Sequence, residues 1–582
     1  EGTKKLIDEY RPELIIFGKS MVLHREPVAE IRAFVDAQNI PTTIMYDMAH
    51  VLGLIGDHFQ NPFADGAEIV TGSTHKTFFG PQRGVIGVNY QREDLKWGLW
   101  EAIESRTFPG SVSNHHLGTQ LGMLMAAYEM NHFKDAYQSA IIANAKHFAR
   151  ALKAQGLDVQ GDPAIDYTET YGTGNLYLGD GPIRDAEVAA ARYYGANDCF
   201  FLTGGSTQGI LAMLGAAVGC GGSVLIDREV HRSVCHGCAL LDITPYFFSA
   251  PLLEPFGISG ALRVEDAERQ LIAHPDIRAV LLTSPTYYGL RRDLPTFADL
   301  CRAHGKLLLV DAAHGAHFPA VDLPSPVEEG ADMAVLSMHK TMPSLGQAAV
   351  LLSGAGVDRA SLRENTALFG TSSPSYPIMA SIDLARSYNE GPGHEKYRKA
   401  AETCREVREY VCRNTVFTAL TERDFPSLDP CRLTVCTAGT DITGHALADA
   451  LWSEHGVACE MADERNVVFI LTENDPAGAI YRLKHSLRVL SRRRSQTVPP
   501  KKTPPFPPAE RVMSVRDARF APCAEVSLSD AEGRVCARPV TPYPPGVPLL
   551  WPGEKITRAH VELIRERWYN DIDRITVVMP EK

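Results

Sequence analysis

One pattern of three residues occurs twice in the chain, and it constrains the fold more than any other feature. In each copy an aspartate ends an apolar run, a histidine follows it by three positions, and a lysine follows a second apolar run. The copies are Asp47, His50 and Lys76, and Asp311, His314 and Lys340, with 29 positions from aspartate to lysine in both. Short apolar runs of this kind are typical of buried strands. Because the carboxyl ends of adjacent parallel strands meet at one sheet edge, we expect each aspartate and lysine to face one crevice.

A lysine and an aspartate that face the same crevice suit one kind of cofactor chemistry. The lysine amine can hold pyridoxal 5′-phosphate (PLP) as a Schiff base, and the carboxylate can keep the pyridine nitrogen protonated, so that the ring draws electrons. For either residue alone, a helix cap or a solvated charge is the simpler interpretation. Recurrence of the whole pattern at one spacing favours the cofactor interpretation.

The surroundings of the second copy predict an α/β fold. Residues 181–350 alternate helix-like and strand-like segments, which is typical of a mainly parallel sheet. Ser206 and Thr207 stand in a glycine-rich turn before an apolar helix, where backbone N–H groups can hold a phosphate. His231 follows the strand-like run 223–227, and its flat ring could stack on the cofactor.

Five motifs occur in the order found in bacterial ornithine/lysine/arginine decarboxylases, and the chain resembles that family from about residue 169 to its end. The motifs are Gly205-Ser-Thr-Gln-Gly209, Ser284-Pro-Thr-Tyr-Tyr-Gly289, Asp311-Ala-Ala-His-Gly-Ala-His-Phe318, Ser337-Met-His-Lys-Thr341 and Thr371-Ser-Ser-Pro-Ser-Tyr376. The segment Tyr543–Glu554 resembles the C-terminal motif of the same family. The family's N-terminal Pro-Gly-His-Lys motif has no counterpart in this sequence.

The resemblance implies the aminotransferase-like fold (PLP fold type I), with helices on both faces of the sheet and a smaller α+β C-terminal domain. It implies that Lys340 forms the Schiff base, that Asp311 pairs with the pyridine nitrogen and that His231 stacks on the ring. Catalytic roles fall to Lys340, Asp311, His231 and His339. The phosphate would be held by Ser206, Thr207, Ser337 and His339, and His314 would line the ring.

In enzymes of this family, Thr371–Tyr376 lies at a subunit boundary, so the resemblance implies a homodimer or larger homo-oligomer. We also expect five segments along the chain. The segments are a partial PLP domain (1–168), a PLP-binding large domain (169–395), a small domain (396–497), a proline-rich linker (498–508) and a C-terminal decarboxylase domain (509–582).

Residues 1–168 resemble part of serine hydroxymethyltransferase. The motifs are Asp47-Met-Ala-His50, Gly72-Ser-Thr-His-Lys-Thr77 and Phe108-Pro-Gly110. The resemblance implies a second, partial site made of Asp47, His50, His75 and Lys76, with Lys76 as the PLP lysine. No Gly-Ser-Thr turn or stacking histidine precedes Asp47, so we expect this copy to start within the fold and to be inactive in hydroxymethyl transfer. The join is expected at about residues 165–175.

Composition limits the partners of the 582-residue chain. A net charge of −12 argues against nucleic acid and anionic membranes, and the longest apolar run, Gly209–Cys220, is too short to cross a bilayer. All twelve cysteines are scattered between Cys199 and Cys536, which favours reduced thiols. We therefore expect a cytoplasmic protein without nucleic-acid or membrane partners. The family resemblance implies an amino-acid substrate, and we expect no metal.

The function that the resemblance implies is PLP-dependent decarboxylation of arginine, lysine or ornithine to the corresponding amine and CO2, with Lys340 or His339 protonating Cα. A basic substrate side chain needs an acidic partner. Glu460, Asp463 and Glu554 are the candidates that the resemblance suggests. Two alternatives stay open: aldol-type cleavage at Lys76, and a non-catalytic fused scaffold.

Overall fold

The computed structural model describes residues 2–19, 22, 24–107, 117–154, 174–493, 507–541, 546–567 and 572–580. The chain divides into two compact units, Glu1–Tyr171 and Gly172–Lys582, which are described separately. Several predicted features lie wholly or mostly outside the described residues: the Phe108-Pro-Gly110 motif, the join at 165–175, the start of the Tyr543 motif and most of the 498–508 linker.

The first unit holds one sheet of four strands in the order β1-β2-β3-β4, in which β1, β2 and β3 are parallel and β4 is antiparallel. The strands are β1 (Leu14–Phe17), β2 (Thr43–Asp47), β3 (Ile69–Ser73) and β4 (Gly84–Val88). Its helices are α1 (Gly2–Tyr10), α2 (Val28–Ala37), α3 (Trp97–Ser105) and α4 (Leu117–Ala154).

The second unit is built on a sheet of seven strands in the order β5-β13-β12-β11-β10-β6-β7, in which β13 runs antiparallel to the other six. The strands are β5 (Asp198–Leu202), β6 (Ser223–Asp227), β7 (Thr244–Phe248), β10 (Ile277–Thr283), β11 (Leu307–Asp311), β12 (Met333–Ser337) and β13 (Ala349–Ser353). A short hairpin pairs β8 (Leu252–Leu253) with β9 (Ile258–Ser259).

Helices connect these strands, as the alternating sequence pattern predicts. They are α5 (Gly181–Tyr193), α6 (Gly205–Ala217), α7 (Arg232–Leu241), α8 (Val264–Ala273), α9 (Leu294–Ala303), α10 (Met338–Thr341), α11 (Arg359–Leu368) and α12 (Tyr376–Glu390). Alternate residues of β5 and β10 enter two apolar clusters: Phe201, Val280 and Leu282 in one, Phe200, Leu202 and Leu281 in the other. The sheet is therefore covered on both faces, which explains the continuous apolar runs.

A smaller antiparallel sheet with the order β14-β15-β17-β16 follows helix α13 (Pro392–Asn414). Its strands are β14 (Thr418–Ala419), β15 (Arg432–Cys436), β16 (Met461–Ala462) and β17 (Asn466–Ile470), packed with α14 (Gly444–His455) and α15 (Ala477–Ser491). The last part of the chain contains α16 (Val515–Phe520), β18 (Cys523–Ser527), α17 (Arg558–Arg567) and β19 (Arg574–Val578). Strands β18 and β19 pair antiparallel.

The cysteines and the helices bear on two expectations drawn from composition: reduced thiols and no membrane-spanning segment. All twelve cysteines lie among the described residues, and each is a free thiol. In the part of the chain that the structure describes, no helix combines the length and the apolar character needed to cross a membrane.

Candidate active site

The strand register brings aspartate and lysine together in the same way in both units. Asp311 is the last residue of β11 and pairs with Val335 of β12, and Lys340 follows the end of β12 by three residues. Asp47 is the last residue of β2 and pairs with Thr71 of β3, and Lys76 follows the end of β3 by three residues. The offset between paired residues is 24 positions in both sheets, so the repeated spacing in the sequence corresponds to a repeated geometry.

Asp311 is a buried carboxylate at the mouth of the central sheet. Its side chain accepts a 3.1 Å hydrogen bond from the amide of Ala313, and the residue is 4% exposed. In the described part of the chain no cation lies within ion-pair distance of it. Burial raises the pKa of Asp311, while the Lys340 charge and the Ala313 amide oppose the rise. Such a carboxylate is suited to a cationic N–H partner brought by a ligand.

Lys340 lies on the short helix α10 beside His314. The two side-chain nitrogens, Lys340 Nζ and His314 Nε2, are 3.2 Å apart. The other ring nitrogen of His314, Nδ1, accepts a 3.1 Å hydrogen bond from Arg432, which opens strand β15. Burial lowers the pKa of Lys340 against the opposing charges of Asp311 and Glu460. A lysine with a lowered pKa has a larger share of the neutral, nucleophilic amine.

His231 caps helix α7, which starts after strand β6. Its Nδ1 accepts a 3.2 Å hydrogen bond from the amide of Ser233. Burial, followed by the charges of Lys340, Arg232 and His236, lowers the pKa of His231 to about 3. The ring is therefore neutral at ordinary pH and lies within the electrostatic reach of Lys340.

Hydroxyl groups converge where α6 begins and β12 ends. Ser206 Oγ and Ser337 Oγ are 2.5 Å apart, and Thr207 is buried in the first turn of α6. Gly205 has φ +73°, a conformation that a side chain would disfavour, and it lets the chain turn into the helix. His339 Nδ1 donates a 3.0 Å hydrogen bond to the carbonyl of Ala348. The predicted phosphate ligands thus lie at the start of α6 (Ser206 and Thr207), at the end of β12 (Ser337) and on α10 (His339).

Two of the three acidic candidates for substrate binding are engaged within the protein. Glu554 accepts hydrogen bonds of 2.5 and 2.8 Å from Arg228 and a further one from the amide of Trp551. Asp463 accepts hydrogen bonds from Asn466 and from the Tyr288 hydroxyl, and it shapes the turn between β16 and β17. Both carboxylates therefore have partners within the protein, which favours structural roles for Glu554 and Asp463.

Glu460 is the exception among the three. Its carboxylate is exposed and accepts a 2.7 Å hydrogen bond from the Tyr287 hydroxyl. The Tyr287 ring packs edge-on against the His314 ring, with centroids 4.7 Å apart. The Glu460 charge acts on Lys340, whose pKa it raises against burial. Glu460 thus lies near the Lys340 crevice.

The first unit repeats the lysine–histidine contact in a more open setting. Lys76 Nζ and His50 Nε2 are 3.0 Å apart, and His75 is half-buried beside them. Asp47 accepts hydrogen bonds from Thr71 Oγ1 and the amide of Ala49 but is exposed, unlike Asp311. The partial site therefore shares the alignment of the second site and lacks its burial.

The sequence analysis missed Arg432 and Tyr287. Arg432 is 2% exposed. The sequence offered one indication of a buried role, namely a charged residue at the first position of an apolar strand. Tyr287 stands inside a quoted motif, but its contact with His314 joins residues far apart in the sequence. No local pattern reports such a contact.

Comparison with solved structures identifies the class of fold. The chain is similar to the constitutive lysine decarboxylase of Escherichia coli (TM-score 0.60, 17% identity, 97% of this chain and 99% of that chain). It is also similar to a lysine decarboxylase of Francisella novicida (TM-score 0.59, 16% identity, 99% and 93%). The fold is that of the PLP fold type I enzymes, which confirms the predicted fold class.

Sequence comparison then gives the family. The model of the Orn/Lys/Arg decarboxylase major domain matches residues 157–424, and the model of the C-terminal domain matches residues 509–566. An arginine decarboxylase of Bacillus subtilis is 30% identical over 414 residues, which cover 69% of this chain and 84% of that protein. An arginine decarboxylase of Halalkalibacterium halodurans is 29% identical over 458 residues (74% and 92%). The chain belongs to the ornithine/lysine/arginine decarboxylase family, a family of PLP-dependent amino-acid decarboxylases, as its motifs predicted.

The first unit has different relatives. The serine hydroxymethyltransferase model matches residues 1–166. The enzyme of Archaeoglobus fulgidus is 46% identical over 172 residues, which cover 29% of this chain and 37% of that protein. The chain thus spans little more than a third of such a relative, and the predicted partial resemblance is confirmed.

The residues present fit PLP, the cofactor of this family. The converging hydroxyls of Ser206 and Ser337 at the start of α6 suit a phosphate. The buried Asp311 carboxylate suits a protonated pyridine nitrogen. The Lys340 amine, with its lowered pKa, suits an aldehyde carbon.

Proposed function

We propose that this chain decarboxylates a basic amino acid, namely arginine, lysine or ornithine, at a PLP site centred on Lys340. The observation that carries the proposal is the placement of Lys340 and the buried Asp311 at the ends of adjacent parallel strands. The relatives named arginine decarboxylase support the substrate class, since they match this chain over most of their length.

Each predicted residue has a role that its surroundings support. Lys340 would bind PLP, Asp311 would hold the pyridine nitrogen protonated, and the neutral ring of His231 would stack on the cofactor. Ser206, Thr207, Ser337 and His339 would hold the phosphate. When bound, PLP supplies a carbonyl carbon that reacts with amines and a ring that accepts the electron pair left on Cα when CO2 departs. The proton that replaces the carboxylate on Cα would come from Lys340 or His339.

Glu460 is the acidic group that we propose for the distal cation of the substrate. It is exposed, it is oriented by Tyr287, and its charge reaches Lys340. An E460Q variant should raise KM for the best substrate about tenfold or more while kcat changes less, because a charge-assisted hydrogen bond is lost. The matched control is E454Q, since Glu454 is an exposed acid on α14 that pairs with Arg493. Equal effects of E460Q and E454Q would rule out this role.

The decisive experiment measures CO2 release from arginine, lysine and ornithine in parallel, with the full chain and added PLP. We expect release from at least one of them, loss in K340A and retention in K76A. Release that survives K340A, or no release from any of the three, would overturn the proposal.

A second candidate function rests on the lysine–histidine contact at Lys76, which repeats the one at Lys340. In this case Lys76 would hold PLP for aldol-type cleavage of a β-hydroxy amino acid. The absorbance of bound PLP discriminates between the sites: its loss in K340A alone supports the decarboxylase site, and its loss in K76A alone supports the other. A folded chain that binds no PLP would favour a scaffold role.

We propose the domain order 1–168, 169–395, 396–497, 498–508 and 509–582, and a homodimer or larger assembly. The family matches at 1–166, 157–424 and 509–566 support this order. Sedimentation of the purified chain tests the assembly, and a monomer across the micromolar range would contradict it.

A further inference from the structure

The guanidinium of Arg432 contacts the Lys340 amine through one intervening side chain, His314. Its Nη2 donates to His314 Nδ1 at 3.1 Å, and the opposite ring nitrogen, Nε2, faces Lys340 Nζ at 3.2 Å. A guanidinium only donates hydrogen bonds and does not lose its proton in proteins. His314 Nδ1 must therefore accept, and the proton of the neutral ring must be on Nε2.

An Nε2–H group that faces Lys340 has a consequence for the lysine. An ammonium group has three donors and no lone pair, whereas a neutral amine has a lone pair that can accept. An ammonium on Lys340 would place two donors against each other at 3.2 Å, while a neutral amine would accept the His314 proton. The orientation of His314 thus favours the neutral form of Lys340.

The position of Arg432 is fixed by a buried network. Asp429 Oδ2 lies 3.7 Å from Arg432 Nε, and Asp429 Oδ1 accepts from His317 Nε2 at 3.0 Å. The carbonyl of Tyr287 accepts from Arg432 Nη1 at 3.3 Å. Gly289, with φ +91°, leaves room for the arginine, since a Cβ there would lie 2.7 Å from Arg432 Cβ. The guanidinium is therefore held toward His314 and cannot swing away without breaking several contacts.

We propose that Arg432 is a positioning residue that fixes the tautomer of His314, so that the His314 Nε2–H group keeps the Lys340 amine neutral and nucleophilic. The proposal rests on the function proposed above and assigns to Arg432 a role in preparing the lysine rather than in binding the substrate. Burial, then the charges of Lys340, Arg432, His231 and His339, lowers the pKa of His314 well below its usual value, so the ring itself is neutral. The ionisable groups that face the pair are Asp311, Glu460, His231, His339 and Arg432.

The test measures the pKa of Lys340 in the full chain after removal of PLP. Acetic anhydride labels only unprotonated amines, so the labelling of Lys340 against pH, followed by mass spectrometry, reports that pKa. In R432M we expect the pKa to rise by about one unit, and labelling at pH 7 to fall about tenfold, because His314 is then free to accept from an ammonium. R432K, which keeps a donor, should restore most of the wild-type value. R291M is the matched control, since Arg291 is also buried but pairs with Glu329.

A double-mutant cycle separates the tautomer from the simple effect of charge. If Arg432 acts through His314, R432M should shift the pKa of Lys340 in the wild-type background and not in the H314F background. An equal shift in both backgrounds would mean that Arg432 acts by its charge alone, and no shift in either would mean that it does not act on Lys340. Both results would overturn the proposal.

A direct measurement on the unmutated chain covers the case in which R432M does not fold. In histidine-selective ¹⁵N spectra, with His314 assigned by its loss in H314F, the proton should be on Nε2. A proton on Nδ1 would overturn the proposal. Neither readout depends on turnover, so a failure to release CO2 would contradict the proposed function and leave the result for Arg432 standing.

Discussion

Replacing Glu554 with glutamine tests whether this carboxylate is structural. The Arg228–Glu554 pair joins the large sheet to the C-terminal segment through two hydrogen bonds, and its side chains are 11% and 3% exposed. Arg228 also packs over the ring of Phe247, 4.5 Å from its centroid. Removing one partner of a buried ion pair costs about 3–5 kcal/mol, because the other charge is left without compensation. Glutamine keeps the shape and one acceptor, so we take the lower end, about 3 kcal/mol.

Hydrogen exchange followed by mass spectrometry is the suitable assay, because a chain of several domains does not unfold in one step. A loss of about 3 kcal/mol in the free energy of local opening corresponds to roughly 100-fold faster hydrogen exchange of the backbone amides in α16 and β18. The matched control is E562Q, which breaks the exposed Arg558–Glu562 pair on α17 and should leave the exchange of these amides nearly unchanged.

The double variant R228M/E554L should recover much of the loss, since it leaves no buried charge unpaired. Unchanged exchange in E554Q, together with a raised KM for the amino acid, would refute the structural role and return Glu554 to the substrate site.

Three further predictions concern the site and the network beside it. D311N should lower the rate of CO2 release about 100-fold or more, because the pyridine nitrogen loses its anionic partner, and a loss below tenfold would contradict this role. Because the pKa of His231 is about 3, the pH profile of H231F between pH 5 and 8 should match that of the wild type, and a lost inflection near pH 6.5 would contradict this. Burial opposes ionisation of Asp429, but the charges of His317 and Arg432 lower its pKa to about 2. Its stabilising contribution should therefore be complete above about pH 4 and vanish as the pH falls toward 2; D429N should lack this acid-dependent loss in denaturant titrations, and an unchanged loss would refute it.

The sequence predicts the strands around Lys340 well because they are buried on both faces. The apolar run that Asp311 ends is β11 (Leu307–Asp311), and the strand-like run 223–227 is β6. The apolar helix predicted beside Ser206 and Thr207 is α6 (Gly205–Ala217). In these segments the local pattern and the tertiary environment agree, so little information from elsewhere in the chain is needed.

The parts of the site that sequence analysis could not predict depend on contacts between distant residues. Arg432 reaches His314 from strand β15, and Glu554 turns out to be the partner of Arg228, 326 positions away. Resemblance alone offered Glu460, Asp463 and Glu554 as equal candidates. Their exposure in the folded chain separates Glu460, which is exposed, from Asp463 and Glu554, which are not.

The shared 24-residue register of the two sheets separates two requirements of this chemistry. In both units the acid and the amine are aligned within the short stretch of chain that runs from the aspartate to the lysine. The same stretch does not determine whether water reaches the acid. Asp311 is buried by the elements packed around it, while Asp47, with the same local geometry, is exposed to solvent. Grafting the strand–loop–strand stretch into a new host should therefore transfer the arrangement but not the reactivity, which the host must provide by enclosure.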